Sequence, residues 1–387
     1  MTNAKNAIVI NLQYEQVLSK NWEEIGYHNP KGDAKKAVTL CWGNNNYQRL
    51  LSNGVPKENL KITGAIHLDF LNDKFSSFYL SKNNIAKIFN LDTKKKWILY
   101  ISSFTVASDN GIVANGLLNS FKKNKDSIQN FIDVSKTSRK ITLNWIQKLL
   151  REDESIYFLY RLHPNEIKDK TLSIMEEKYY GRFICIQDYS VKQWIHVSDI
   201  VVTWFSTSIV ESFYANKNCY ILRPVKIPES MDSVVFIGAN VISNYTNFKE
   251  IVSKREKDFS KKHFPISQKL IAEYYSNDNN NLAYIKVADV IEEISTLKRE
   301  KVSFNYYIER IMFILTHSEP WKSIAEGVYM KVFTIFKVKL SKYSPWKKRY
   351  LAILEDRITK QKKNDDEINR KGKLLKKIVE NINDNNE

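Results

Sequence analysis

Two short runs in the middle of the chain carry side chains suited to holding a phosphate. Arg161-Leu162-His163-Pro164-Asn165-Glu166 and Ser206-Thr207-Ser208-Ile209-Val210-Glu211 each follow directly on an apolar, strand-like run. An Arg presents a fixed fork of donors that matches phosphate oxygens, and a His donates whether neutral or protonated, so it can stabilise a departing nucleotide. Pro164 stiffens its turn and withholds a competing backbone donor, which would hold the imidazole pointing into a crevice. Ser208 and Glu211 are spaced as a capping box, so a helix should begin there and offer free N–H groups and a positive dipole end to an anion. Read blandly, these residues only cap a helix, and the His is a buried ring bonded to backbone. Their shared position at strand ends favours the site.

The elements that must position them follow from the pattern of apolar runs. Residues 97–102, 155–160, 182–187, 199–204 and 218–223 are short, apolar on both faces, and rich in β-branched or aromatic residues, as buried parallel strands are. Amphipathic stretches such as 141–151 and 207–216 lie between them, which predicts a doubly wound α/β domain over 94–298. In such a sheet ligands bind at the carboxyl ends of the strands. By that position Ser103, Thr105, Arg161, His163, Tyr189, Ser206, Thr207, Ser208 and Glu211 become candidate donor-binding residues. Ahead of this domain, 7–12, 37–42 and 61–66 read as strands and 46–54 as a helix stopped by Gly54. They predict a shorter α/β domain over 1–93, with the polar, Lys-rich stretch 71–96 as the connection. No internal repeat of 20–50 residues is present.

The 387 residues suggest two domains and an appendage, and 43% apolar with 27% charged residues is a globular composition. Eight Pro and eleven Gly are too few for a turn-rich all-β chain. The net charge of +17 predicts a polyanionic neighbour. Residues 301–387 hold 19 Lys or Arg against 11 Asp or Glu, so a helical basic extension is expected over 299–387. Within it, 331–349 has seven basic residues, no acidic one, and Phe, Tyr and Trp between them, a composition suited to an anionic membrane surface. No apolar run reaches 18 residues, and the amino-terminal stretch lacks a secretory pattern, so neither a membrane span nor export is expected. Cys41, Cys185 and Cys219 are far apart and read as reduced thiols. The expected location is therefore cytoplasmic, peripheral at the inner face of the membrane. None of the six histidines has metal-ligand spacing, so neither metal nor cofactor is expected.

Three stretches in order carry a family resemblance. VTLCWGNNNYQRLLSNGVPKENLKITGAIHLDF (38–70) is similar to a segment in which a Trp-Gly strand end, a helix, a "gvp" turn and a "tG-x-x-x-x-D" strand succeed one another. IYFLYRLHPNE (156–166) resembles a His-Pro motif, and SDIVVTWFSTSIVES (198–212) a serine–serine/threonine motif with its glutamate. Together they resemble the GT-B superfamily of capsule, O-antigen and teichoic-acid transferases. That superfamily includes sialyltransferase-like, Kdo-transferase-like and CDP-glycerol phosphotransferase-like groups. The resemblance covers 38–225. It implies two Rossmann-like domains facing a cleft, with His163 on the donor phosphate, Ser206, Thr207 and Ser208 on phosphate or sugar, and Glu211 on the ribose hydroxyls. The chain departs from the pattern at the front, where the acceptor-side domain is short and no motif for the catalytic base matches. Glu15, just after the strand at 7–12, is the carboxylate best placed for that role.

The resemblance implies a metal-independent glycosyltransferase that moves a sugar from a nucleotide-activated donor to a surface polysaccharide or lipid-linked acceptor. The paired motifs favour a CMP or CDP donor over UDP. A CDP-alcohol (glycerol or ribitol) phosphotransferase and a catalytically degenerate assembly partner are the alternatives within the pathway. Nucleic acid is the alternative polyanion, but no nucleic-acid motif occurs and the basic excess is concentrated in the tail.

Overall fold

The computed structural model describes residues 8–13, 16, 29–107, 112–120, 125–236, 238–254, 263–296 and 369–380. The chain divides into two compact units, one of Met1–Ile10, Gly32–Val38 and Ile291–Glu387, the other of Asn11–Lys31 and Thr39–Val290. In the first, Gly32–Lys36 is a short 3-10 helix in which Lys36 pairs with Asp33 at 2.8 Å, and 369–380 are helical. Glu15 and the basic segment 331–349 lie outside the described residues.

A small sheet has the order β1 (Ile10–Asn11), β2 (Val38–Cys41), β3 (Leu60–Ile62). β2 and β3 are parallel, with Thr39 opposite Leu60 and Cys41 opposite Ile62. The helix Asn44–Ser52 connects them and gives way at Asn53 and Gly54, whose φ of +78° is easy only for glycine. The strand expected over 61–66 ends at Ile62: the Thr63 N–H makes the last ladder bond, to the Cys41 carbonyl, and the Gly64 N–H, at φ +82°, turns to that same carbonyl. The stretch 71–96 is more structured than a connection. It carries a 3-10 helix, Asp73–Phe78, and the helix Lys82–Phe89, whose first turn Ser81 caps by accepting from the Asn84 N–H.

The larger sheet is parallel throughout and has six strands in the order β6-β5-β4-β7-β8-β9. These are β4 (Lys96–Ile101), β5 (Ile156–Arg161), β6 (Phe183–Ile186), β7 (Ile200–Thr203), β8 (Cys219–Leu222) and β9 (Val241–Ile242). The expected α/β class with parallel strands is what is found. The chain builds outward from β4 to β6 on one side, then returns to add β7 to β9 on the other. The strand ends around β4 are therefore the topological switch point, where sheets of this kind open a crevice.

Alternation along β4 feeds two cores. Ile98 and Tyr100 face one side, with Phe158 and Tyr160 of β5, and the 28-residue helix Lys125–Glu152 covers them. Its Ile128, Ile132, Leu143, Ile146 and Leu150 recur at helical spacing, and only the carboxyl part of this helix, 141–151, stood out in the sequence. Trp97 and Leu99 face the other side, against Trp194 and Ile195 of the helix Val191–Val197 and Ile85 of Lys82–Phe89. Each such side chain, fully buried, is worth about 1.5–3 kcal/mol against exposure. The switch point thus sits on a rigid base.

Candidate active site

A cavity of ≈ 640 Å³ opens at the carboxyl ends of β4, β5 and β7. Arg161, the last residue of β5, lines it. Its guanidinium donates to the carbonyls of Asp188 at 3.1 Å and Tyr189 at 2.7 Å, which fixes the fork in place. Burial lowers its pKa to about 10, so it stays charged at neutral pH.

His163 lines the same cavity two residues on. Its Nδ1 accepts the Asn165 N–H at 3.1 Å, so the neutral ring carries its proton on Nε2 and can donate from there. Burial lowers its pKa, which favours the neutral form. The turn rests on Glu166, which is 2% exposed. Glu166 donates its N–H to the His163 carbonyl at 2.8 Å, and its carboxylate accepts from the His163 N–H at 3.4 Å and from the Tyr160 hydroxyl at 3.1 Å. Tyr160 in turn meets Ser102 at 2.9 Å. Burial raises the Glu166 pKa. In sequence Glu166 was one more polar residue after a strand; its burial shows only in the fold.

The Ser206–Ser208 turn is built on hydroxyls. Thr203 Oγ1 donates to the Ile101 carbonyl at 2.9 Å and accepts the Ser206 N–H at 3.1 Å, and Ser206 Oγ accepts the Ser208 N–H at 3.2 Å. Ser206, Thr207 and Ser208 all line the cavity. The expected capping box does not form. Ser208 is the N-cap of Ile209–Tyr214 but has helical backbone angles and makes no side-chain cap bond. Glu211 instead pairs with Lys192 at 2.6 Å, an attraction that outweighs a neutral cap bond. Both ends of that ion pair line the cavity.

Ser103, Thr105 and Tyr189 are not among the lining residues. After β4 the buried Phe104 stacks between Tyr100 and Trp204, and Ser102 takes the cavity position. Tyr189, at φ +59°, contributes its carbonyl to Arg161 while its ring packs on Phe89.

The rest of the lining was not singled out from the sequence. It includes Lys192, Gln13, Gln16, Trp42, His67 and Tyr275. Trp42 and His67 lie inside motifs quoted above, but only the packing of the small sheet brings them here. Gln16 donates to the Tyr274 carbonyl at 2.6 Å and Gln13 to Asn46 at 2.7 Å. Ser276 N–H donates to the Trp42 carbonyl at 2.6 Å, so the 274–277 segment ties this wall together. One wall thus carries fixed cations and hydroxyls, the other aromatic and amide groups. Among the described residues no group of three or more His, Cys, Asp or Glu is arranged to hold a metal ion.

No protein-family model and no curated protein matches the sequence. Solved structures with a similar chain path include the wall teichoic acid polymerase TagF soaked with CDPG, at 12% identity over 76% of this chain and 69% of that chain, with a TM-score of 0.48. The S. aureus MnaA–UDP co-structure is 17% identical over 70% of this chain and 63% of that one, with a TM-score of 0.38. UDP-GlcNAc 2-epimerase from Neisseria meningitidis bound to UDP-GlcNAc is 15% identical over 68% and 62%, with a TM-score of 0.40.

Proposed function

We propose that the cavity seats the phosphate of a nucleotide-activated donor and that the protein is a GT-B type glycosyltransferase acting on a bacterial surface polysaccharide or lipid-linked acceptor. The observation that carries this reading is the meeting of Arg161, His163, Lys192 and the Ser206–Ser208 turn at one switch point of a parallel sheet. Groups held in advance where charge develops are what a departing nucleotide needs. Arg161 and the His163 Nε2–H meet phosphate oxygens, and the Thr207 and Ser208 hydroxyls donate to those that remain. Glu211, held through Oε1 by Lys192, offers its other oxygen to the ribose hydroxyls. An acceptor hydroxyl gives up its proton to a base as its oxygen bonds to the anomeric carbon, the bond from that carbon to the phosphate oxygen breaks, and the electron pair leaves with the nucleotide. Cytidine nucleotides are the preferred class, on the motif resemblance. That resemblance extends equally to CDP-alcohol phosphotransfer, in which attack falls on phosphorus and CMP leaves.

The test offers the purified chain nucleotide sugars and CDP-alcohols in turn, each with oligosaccharide or lipid-linked acceptors. Acceptor-dependent release of nucleotide from one of them supports the reading, and the transferred group tells sugar from polyol phosphate. Release from none, with salt-sensitive binding to DNA instead, overturns it. The basic, aromatic segment 331–349 supports a second part of the reading, that the chain works at an anionic membrane surface where lipid-linked acceptors reside.

A further inference from the structure

His67 lines the cavity on the short helix Ile66–Asp69, just beyond β3. Its ring stands edge-on to Trp42, with centroids 4.8 Å apart. The helix that carries it is fastened at its end, where the Asp69 carboxylate accepts from the Tyr284 N–H at 2.8 Å and from the Asn277 side chain at 3.1 Å. The same Asn277 amide exchanges two 2.9 Å bonds with the backbone of Ala65. Two charged groups from other elements act on the ring, Lys192 from Val191–Val197 and Glu211 from Ile209–Tyr214, and they are paired to each other at 2.6 Å. His67 is therefore a fixed imidazole beside the ion pair that the donor would meet.

We propose that His67 takes the proton of the acceptor hydroxyl, and that the Lys192–Glu211 pair makes it competent only when the donor is seated. This rests on the donor reading given above. In the step, the acceptor O–H proton passes to an imidazole nitrogen and the acceptor oxygen bonds to the donor's anomeric carbon. The bond from that carbon to the phosphate oxygen breaks, and its electron pair leaves with the nucleotide.

The electrostatics give the coupling a direction. Burial and the Lys192 ammonium hold the ring neutral, with a pKa of about 4, while Glu211 acts in the opposite sense. So weak a base removes a hydroxyl proton poorly. A phosphate docked on Lys192 cancels the ammonium's field and adds negative charge beside the ring, which raises its proton affinity. Base strength then arrives with the donor, and an acceptor entering first is not activated.

Ring C–H signals of the full chain, labelled with ¹³C-histidine, would be followed by NMR through a pH titration, alone and with saturating CMP, CDP or UDP. The His67 signal is identified by its contact to the Trp42 indole, and by its loss in His67→Gln where that variant folds. The expected midpoint is about 4 without nucleotide. With the nucleotide that binds, the midpoint is expected to rise by about one unit or more. Lys192→Ala is expected to raise the midpoint measured without nucleotide and to blunt the further rise. A nucleotide that binds yet leaves the His67 midpoint in place overturns the inference and leaves the donor reading standing. A chain that binds none of the three overturns both.

Discussion

The side-chain amide of Asn277 donates to the Asp69 carboxylate at 3.1 Å across 208 positions of sequence, while exchanging two 2.9 Å bonds with the backbone of Ala65. One amide thus satisfies a buried carboxylate and a turn of backbone that no strand pairs. Asn277→Ala strands the Ala65 N–H and carbonyl, leaves the Asp69 carboxylate with the Tyr284 N–H alone of these two partners, and is expected to lower stability by about 2–4 kcal/mol. Urea unfolding measures it, and a loss under about 0.5 kcal/mol would contradict the latch.

Gly43 shows how closely the same segment approaches the small sheet. A Cβ added there would stand 2.4 Å from the Tyr274 carbonyl carbon and 2.5 Å from its oxygen, and backbone cannot swing aside as a side-chain end can. Gly43→Ala should therefore cost about 1–3 kcal/mol through displaced backbone. It should also perturb the cavity wall at Trp42 and Tyr275, seen as a changed tryptophan emission. An unchanged melting curve and emission would show that the segment yields freely.

How much of this was legible in the sequence depended on where each residue's partners lie. β4, β5, β7 and β8 stood out because burial on both faces demands unbroken apolar runs. β9, two residues long, leaves no such trace. Arg161, His163 and the Ser206–Ser208 turn could be found because strand ends are chain neighbours of the strands themselves. The Ser208–Glu211 cap that the spacing predicts does not form, because the partner of Glu211 is Lys192, on a different helix. Glu166 and His67 were opaque for a similar reason. The burial of one and the cavity position of the other come from elements far away in sequence.

Stability should carry the signature of His67. Its folded-state pKa is about 4 against an ordinary 6.5, so the unfolded chain takes up the proton first. The stability it contributes is full above pH 6.5 and is lost as pH falls from there through about 4. The free energy of unfolding is expected to fall from pH 7 to pH 5 more steeply in the wild type than in His67→Gln. Parallel profiles would mean that the ring titrates normally in the folded chain.

Membrane association is expected to depend on charge. Each Lys or Arg near an anionic surface contributes about 1 kcal/mol, and screening by salt removes it. Sedimentation with anionic vesicles should therefore fall sharply as salt rises, and fall again when the seven basic residues of 331–349 are replaced by glutamine. Equal binding to neutral vesicles, or none at low salt, would exclude the role.

Calorimetric titration of CMP, CDP and UDP into the wild-type chain, and into Arg161→Ala and His163→Ala, addresses the donor cavity itself. One nucleotide, of the cytidine class, should bind the wild type with a stoichiometry near one. Its affinity should drop at least about tenfold in Arg161→Ala, the loss of a charge-assisted phosphate contact. In His163→Ala the companion transfer assay should lose about 10²-fold, as when a preorganised charge stabiliser is removed. No binding by any of the three nucleotides, or equal binding by wild type and Arg161→Ala, would contradict a donor site at the ends of β5 and β7.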